Sequence, residues 1–168
     1  MNVCYSPDYV CSGYGFDTMR KAGWIAESLV RNPIDGVELV EPEPLTAAQV
    51  MAVHTPEYVR AIETGEPRAL AESQMFAWDP GIWPMVLASN GGAVAAALSA
   101  MENGVAAGSL SSGLHHARRD TGAGYCTFNG LVIAARAALV AGARSVLILD
   151  LDAHCGGGTA SLIADEPR

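Results

Sequence analysis

Two groups of residues in this chain carry the side chains that bind divalent metals and move protons. The first is Asp150-Leu-Asp-Ala-His154, which closes the run Ser145-Val-Leu-Ile-Leu-Asp-Leu-Asp-Ala-His-Cys-Gly-Gly-Gly-Thr159. Side chains of an extended segment alternate faces, so Asp150, Asp152 and His154 fall on one side of it. The second group is His115-His116, which follows Gly113-Leu114. Adjacent histidines usually diverge, but from a loop after a strand both can reach one cavity; the alternative is two unrelated surface histidines. Three of the four histidines thus fall at the C-terminal ends of two expected parallel strands, where open α/β sheets keep their ligands. Carboxylate with imidazole suits zinc or another divalent metal. Such an ion polarises a carbonyl and activates water while histidines shuttle protons, so the chemistry is metal-assisted hydrolysis. Cys155 beside the group is either a thiolate ligand or a bystander.

The elements that must position these residues follow from pattern. Val146 to Leu149 is a short apolar run bounded by turn residues, which reads as a buried parallel strand within 145–151. A second buried strand is expected over Gly104–Ser112, with His115 and His116 leaving its end. Asn2–Tyr5 and Val37–Glu41 read as further strands, each closed by proline. Apolar residues between Phe16 and Val30 recur at helical steps (Met19, Ala22, Ile25, Ala26, Leu29), with Pro33 beyond as a stop. Thr46 can cap a short helix to Val53, and Thr55-Pro56-Glu57 is a strong helix start. His54, just before it, reads as packed or hydrogen-bonded. Residues 66–83 are irregular, with Phe76, Trp78 and Trp83 either anchoring the loop or edging a pocket. Met85–Met101 is a helix rich in Ala and Gly, and Leu131–Val140 a second, stopped by Gly142. Alternation of helix and strand predicts an α/β fold, a parallel sheet flanked by helices, in one domain without linker or repeat.

Composition narrows the partners. The chain has 168 residues, half of them hydrophobic, and a formal net charge of -8. Basic stretches able to neutralise phosphates are lacking, which argues against nucleic acid. The longest apolar runs are broken by Gly or charge, so no membrane span is expected. The N-terminus lacks the pattern of a signal peptide. The four cysteines show no CxxC spacing, so reduced thiols and a cytoplasmic location are expected.

Three motifs in order carry a family resemblance: Ser112-Gly-Leu-His-His-Ala-Arg118, Gly124-Tyr-Cys-Thr-Phe-Asn129, and Leu147-Ile-Leu-Asp-Leu-Asp-Ala-His154 with Gly156 and Gly158. Together with Val53-His-Thr-Pro-Glu-Tyr-Val59 they resemble the zinc-dependent histone deacetylase family, including the acetylpolyamine and acetoin-utilisation types. The resemblance implies the arginase/deacetylase fold and hydrolysis of an acetyl amide on lysine or a polyamine. It makes Asp152 and His154 zinc ligands and His115 and His116 the paired catalytic histidines. Asp150 becomes the carboxylate that hydrogen-bonds the first histidine. Gly124 and Tyr125 become the wall of the acyl-lysine channel. The sequence departs from the family pattern at several points. The third zinc ligand and the catalytic tyrosine have no counterpart before Arg168, the acidic partner of the second histidine falls on Gly157, and Cys11-Ser-Gly-Tyr-Gly15 stands where the family has a histidine-rich opening. The resemblance therefore implies the N-terminal portion of the domain, truncated, with 145–151 exposing an apolar edge if its later neighbours are absent. A homo-oligomer stays open.

Other readings compete. A ureohydrolase of the same fold shares Asp-Ala-His, but its two-metal site wants a carboxylate at Gly156. A phosphatase with Asp150 as nucleophile leaves His115-His116 unexplained. A phosphate-binding role for Gly156–Gly158 lacks the lysine and the spacing, and a turn into a helix fits better. A degenerate, non-catalytic module is compatible with two metal ligands where catalytic zinc normally has three.

Overall fold

A computed structural model describes residues 1–13 and 17–168; side chains are described outside residues 14–19. Phe16 and Met19, two of the residues that define the first helical stripe, and Tyr14-Gly15 of the expected opening lie outside the described residues or side chains.

The sheet has three parallel strands in the order β2-β1-β3: β1 (Asn2–Cys4) lies between β2 (Glu38–Val40) and β3 (Gly108–Ser109). Val3 pairs with Leu39 on one side and Gly108 on the other. Parallel neighbours need crossovers, and helices supply them. A 3-10 turn (Pro7–Val10) and α1 (Asp17–Arg31) join β1 to β2. Then α2 (Ala47–Met51), α3 (Pro56–Thr64), α4 (Arg68–Ala71) and α5 (Ile82–Asn103) lead to β3. After β3 come α6 (Gly130–Val140) and α7 (Gly157–Ile163).

The helix starts follow the capping residues. Thr46 and Gln49 form a reciprocal capping box on α2. Thr55 caps α3 with Pro56 at its first position, and left-handed Gly65 ends it. Asn129 caps α6 through Val132 N. The core gathers Tyr58, Val59 and Ile62 of α3, Ile82, Met85 and Val86 of α5, Phe128, and Val132 and Ile133 of α6. Trp78 is half-buried and anchors the irregular segment, donating from Nε1 to Ile62 O at 2.7 Å.

α5 corrects the expectation of no membrane-length run. Ile82–Asn103 is long and apolar enough, by length and composition, to cross a membrane. Here it is the central core helix, packed on α6, the 3-10 turn, β1 and β3. Its Gly91 and Gly92 let it approach closely: a Cβ there would collide with the Glu43 carbonyl and the Tyr9 hydroxyl.

Of the two strands expected to carry the chemistry, one is much shorter than predicted and the other does not form. Of Gly104–Ser112 only Gly108–Ser109 pairs, and residues 104–106 are exposed. The segment 145–151 is not a strand. Val146 N donates to Arg168 O, and no ladder joins the segment to the sheet among the described residues. Its alternation survives without the pairing: Val146 and Ile148 are half-buried, while Leu147, Leu149 and Leu151 are 88%, 74% and 85% exposed. The pattern of a doubly covered strand is present in the sequence, but burial requires a neighbour on each side. The described sheet ends at β3, which offers two residues.

Candidate functional site

The histidine pair stands on a tightly constrained loop. Leu114, just before it, adopts φ 58, a left-handed conformation uncommon for a branched residue. His115 is buried and His116 half-buried, with their rings 4.1 Å apart and tilted by 55°. Behind them, residues 123–126 form a tight hairpin in which Cys126 N donates to Ala123 O at 2.8 Å. Both central residues have positive φ, Gly124 at 51 and Tyr125 at 63, the signature of a type I′ turn. A Cβ on Gly124 would stand 2.5 Å from His116 Cδ2. Gly124 therefore lets the hairpin back the second histidine.

The acidic segment reaches the same place without being a strand. Asp150 Oδ1 accepts from Asp152 N at 3.1 Å, and Asp152 Oδ1 accepts from His154 N at 2.7 Å. Each carboxylate hooks the backbone two residues ahead, as Asp side chains do in turns. The free face of the hook meets the histidines. His115 Nδ1 donates to Asp150 Oδ2 at 2.7 Å, and His115 Nε2 lies 3.6 Å from Asp152 Oδ1. His154 Nδ1 lies 3.0 Å from Asp152 Oδ1, and its ring is 5.9 Å from that of His116. All five predicted polar residues therefore converge.

Their ionisation follows from these contacts. The hydrogen bond from His115, then that from Asp152 N, holds the Asp150 carboxyl below its usual range. The Asp152 carboxyl is lowered first by the His154 backbone and then by the His154 ring. His116 is pushed below the ordinary imidazole range by burial and by the neighbouring His115 and His154 rings. Gly157 leaves it without the expected carboxylate: the Cβ position there has Arg118 Nη2 at 3.6 Å.

The donor set suits zinc in kind, a carboxylate oxygen and an imidazole nitrogen side by side, but not in number. Among the described residues no group of three or more His, Cys, Asp or Glu is arranged to hold a metal, whereas catalytic zinc normally has three protein ligands. The side chains of Asp152 and His154 are 51% and 76% exposed. Cys155 is exposed and forms no disulfide.

A cavity of about 590 Å³ opens beside the site and reaches it at Asp152; Phe76, Tyr125, Met85 and Leu114 line it. The Phe76 and Tyr125 rings lie parallel to within 2°, 6.3 Å apart. Tyr125 lines this cavity together with Phe76, from the loop read as either anchoring or pocket-edging, whereas Gly124, expected beside Tyr125, does not. His115 and His116 do not line this cavity.

Two residues matter more than their sequence signals suggested. His54 is fully buried, with Nδ1 2.8 Å from Arg118 O and Nε2 accepting from Asn129 N at 3.0 Å. Asn129 Nδ2 donates to His115 O, Ala117 O and Thr159 Oγ1 at 3.4, 3.2 and 3.0 Å. An Asn immediately before an apolar helical run is a cap signal; nothing in sequence spacing points to its long-range bonds.

Comparison with known proteins gives the family. The family model of the histone deacetylase domain matches residues 16–168. An uncharacterized protein of Picosynechococcus is 35% identical over 98% of this chain and 56% of its own length. A probable deacetylase of Archaeoglobus fulgidus is 31% identical over 92% of this chain and 42% of its own. The acetoin utilization protein AcuC of Staphylococcus aureus is 29% identical over 86% and 40%. The crystal structure of the HDA15 HD domain superposes with a TM-score of 0.79 at 23% identity, covering 96% of this chain and 49% of that one, and shows the shared deacetylase fold. The chain spans about half the length of the curated relatives it matches over most of its own length.

Proposed function

This chain belongs to the histone deacetylase domain family, and on that footing we propose that it carries the proton-handling and part of the metal-holding machinery of a deacetylase acting on an acetylated amine. The observation that carries the reading is the contact of His115 Nδ1 with Asp150 Oδ2 at 2.7 Å while Nε2 faces Asp152 at 3.6 Å. Asp150 holds the proton of the ring on Nδ1 and leaves the Nε2 lone pair toward the reacting centre, the orientation a general base requires.

Asp152 and His154 are the donors that would hold zinc, and bound zinc would supply Lewis acidity toward the amide carbonyl and the attacking water. The reading requires a further ligand beyond these two. His115 takes the proton of the water. His116 protonates the leaving amine, and its lowered pKa makes the charged ring a readier acid. The acylated chain lies against the Phe76 and Tyr125 wall. The net charge of -8 favours a cationic substrate, an acetyl-lysine peptide or an acetylpolyamine.

The test is acetate release from both substrates by the zinc-loaded protein. His115→Ala should lower release by at least about 100-fold, the usual worth of a positioned base. Equal release by wild type and variant, or none by wild type, overturns the reading. The second outcome would leave a non-catalytic module.

A further inference from the structure

The histidine loop and the acidic hook belong to different parts of the chain, and a buried polar hub joins them. Asn129 is fully buried. The two protons of its Nδ2 serve three acceptors, His115 O, Ala117 O and Thr159 Oγ1. Its Oδ1 accepts from Val132 N at 3.1 Å and caps α6. Thr159, buried on α7, donates from its backbone N to His115 O at 3.0 Å. Gly158 before it packs against the same loop, so that a Cβ would collide with the carbonyl oxygens of His115 and Ala117. From the other side His54 holds Arg118 O and the Asn129 backbone N–H, and Thr55 N donates to Arg119 O at 2.8 Å.

The carbonyls of residues 115, 117, 118 and 119 are thus all engaged, and the groups that engage them are buried or rooted in α3, α6 and α7. Asn129 joins three elements at once: its side chain bonds the histidine loop, Thr159 on the helix that follows Asp150–His154, and the first turn of α6. Its amide is also matched to the task. Nδ2 offers two donors where carbonyls and a hydroxyl crowd, and Oδ1 faces a helix N–H. An aspartate of the same shape would set an oxygen against that crowd.

We propose that Asn129 is the positioning residue of this site: through Thr159 and the His115 and Ala117 carbonyls it fixes the distance between the histidine pair and the Asp150–His154 hook. The consequence for catalysis rests on the deacetylase reading; the geometric role does not. His54 supports the hub as a neutral ring, donating from Nδ1 and accepting at Nε2.

The test follows the proton between His115 Nδ1 and Asp150 by NMR in the full chain, with thermal unfolding as the control for folding. Wild type should show this proton downfield and protected. Asn129→Asp should speed its exchange at least about tenfold while the fold still melts cooperatively. Thr159→Val should give a smaller change in the same direction, and Thr159→Ser, which keeps the hydroxyl, should restore the wild-type signal. A folded Asn129→Asp with an unchanged His115 signal overturns the proposal, because aspartate still caps α6 and a residue whose only role is that cap would leave the proton unmoved. If Asn129→Asp does not fold, the Thr159 pair decides: equal behaviour of Val and Ser overturns it. Should wild type release no acetate, the deacetylase reading fails while the NMR result still decides the positioning role.

Discussion

The two halves of the site are built in opposite ways. The histidine half is buried and held by contacts from α3, α6 and α7. The acidic half, 150–154, is exposed, follows an unpaired apolar segment, and is shaped by bonds to its own backbone. A base must be aimed within a fraction of an ångström, and the histidine half has the packing for it. The acidic half lies on an exposed segment tied to the rest of the site by the bond from His115 to Asp150 and by the helix that follows it.

The largest effect should come from filling the junction. Gly158→Val should cost about 3 kcal/mol or more in urea unfolding, because its side chain collides with the carbonyls of the histidine loop. Gly157→Ala next to it, with its nearest neighbour at 3.6 Å, should change stability by less than about 1 kcal/mol. Similar costs for the two would erase the contrast between clamped and open halves.

Next comes acid. Burial lowers the His54 pKa from 6.5 to about 4, with a small contribution from Arg119 in the same direction, against hydrogen bonds to the Arg118 and Arg119 backbone. The unfolded chain therefore binds more protons between these values. The stability His54 contributes as a neutral ring is full above its ordinary value and is lost as pH falls toward the folded one. That loss should reach roughly 3 kcal/mol, and unfolding at pH 7.5 and 4.5 should show most of it. His54→Gln should flatten the slope; an unchanged slope would place the acid sensitivity elsewhere.

The smallest effect should lie on the open half. Leu149 is 74% exposed, so Leu149→Lys should leave stability within about 0.5 kcal/mol while reducing self-association measured by light scattering. A loss of several kcal/mol would mean that this face is covered in solution.

Much of this was legible in the sequence, and what was not had a physical cause. Thr46 and Thr55 marked the starts of α2 and α3, because capping is local chemistry. Asp150, Asp152, His154, His115 and His116 were legible as a group from residue type, and they do meet. The strand at 145–151 was misjudged: a continuous apolar run reports what a segment can bury, whereas pairing depends on neighbours that the pattern does not contain. The role of Asn129 was hidden because its partners lie 12 to 30 residues away. His54 was readable as a buried histidine, but its partners, 64 and 75 residues distant, were not.

The hooks of Asp150 and Asp152 also bear on the order in which the site assembles. Each closes over two residues, and short loops of this kind close in well under a microsecond. The bonds of His54 wait until α3 has met the segment that carries Asn129, since contacts distant in sequence form slowly. The acidic hook can therefore form early in folding, before the histidine loop beside it has been set in place.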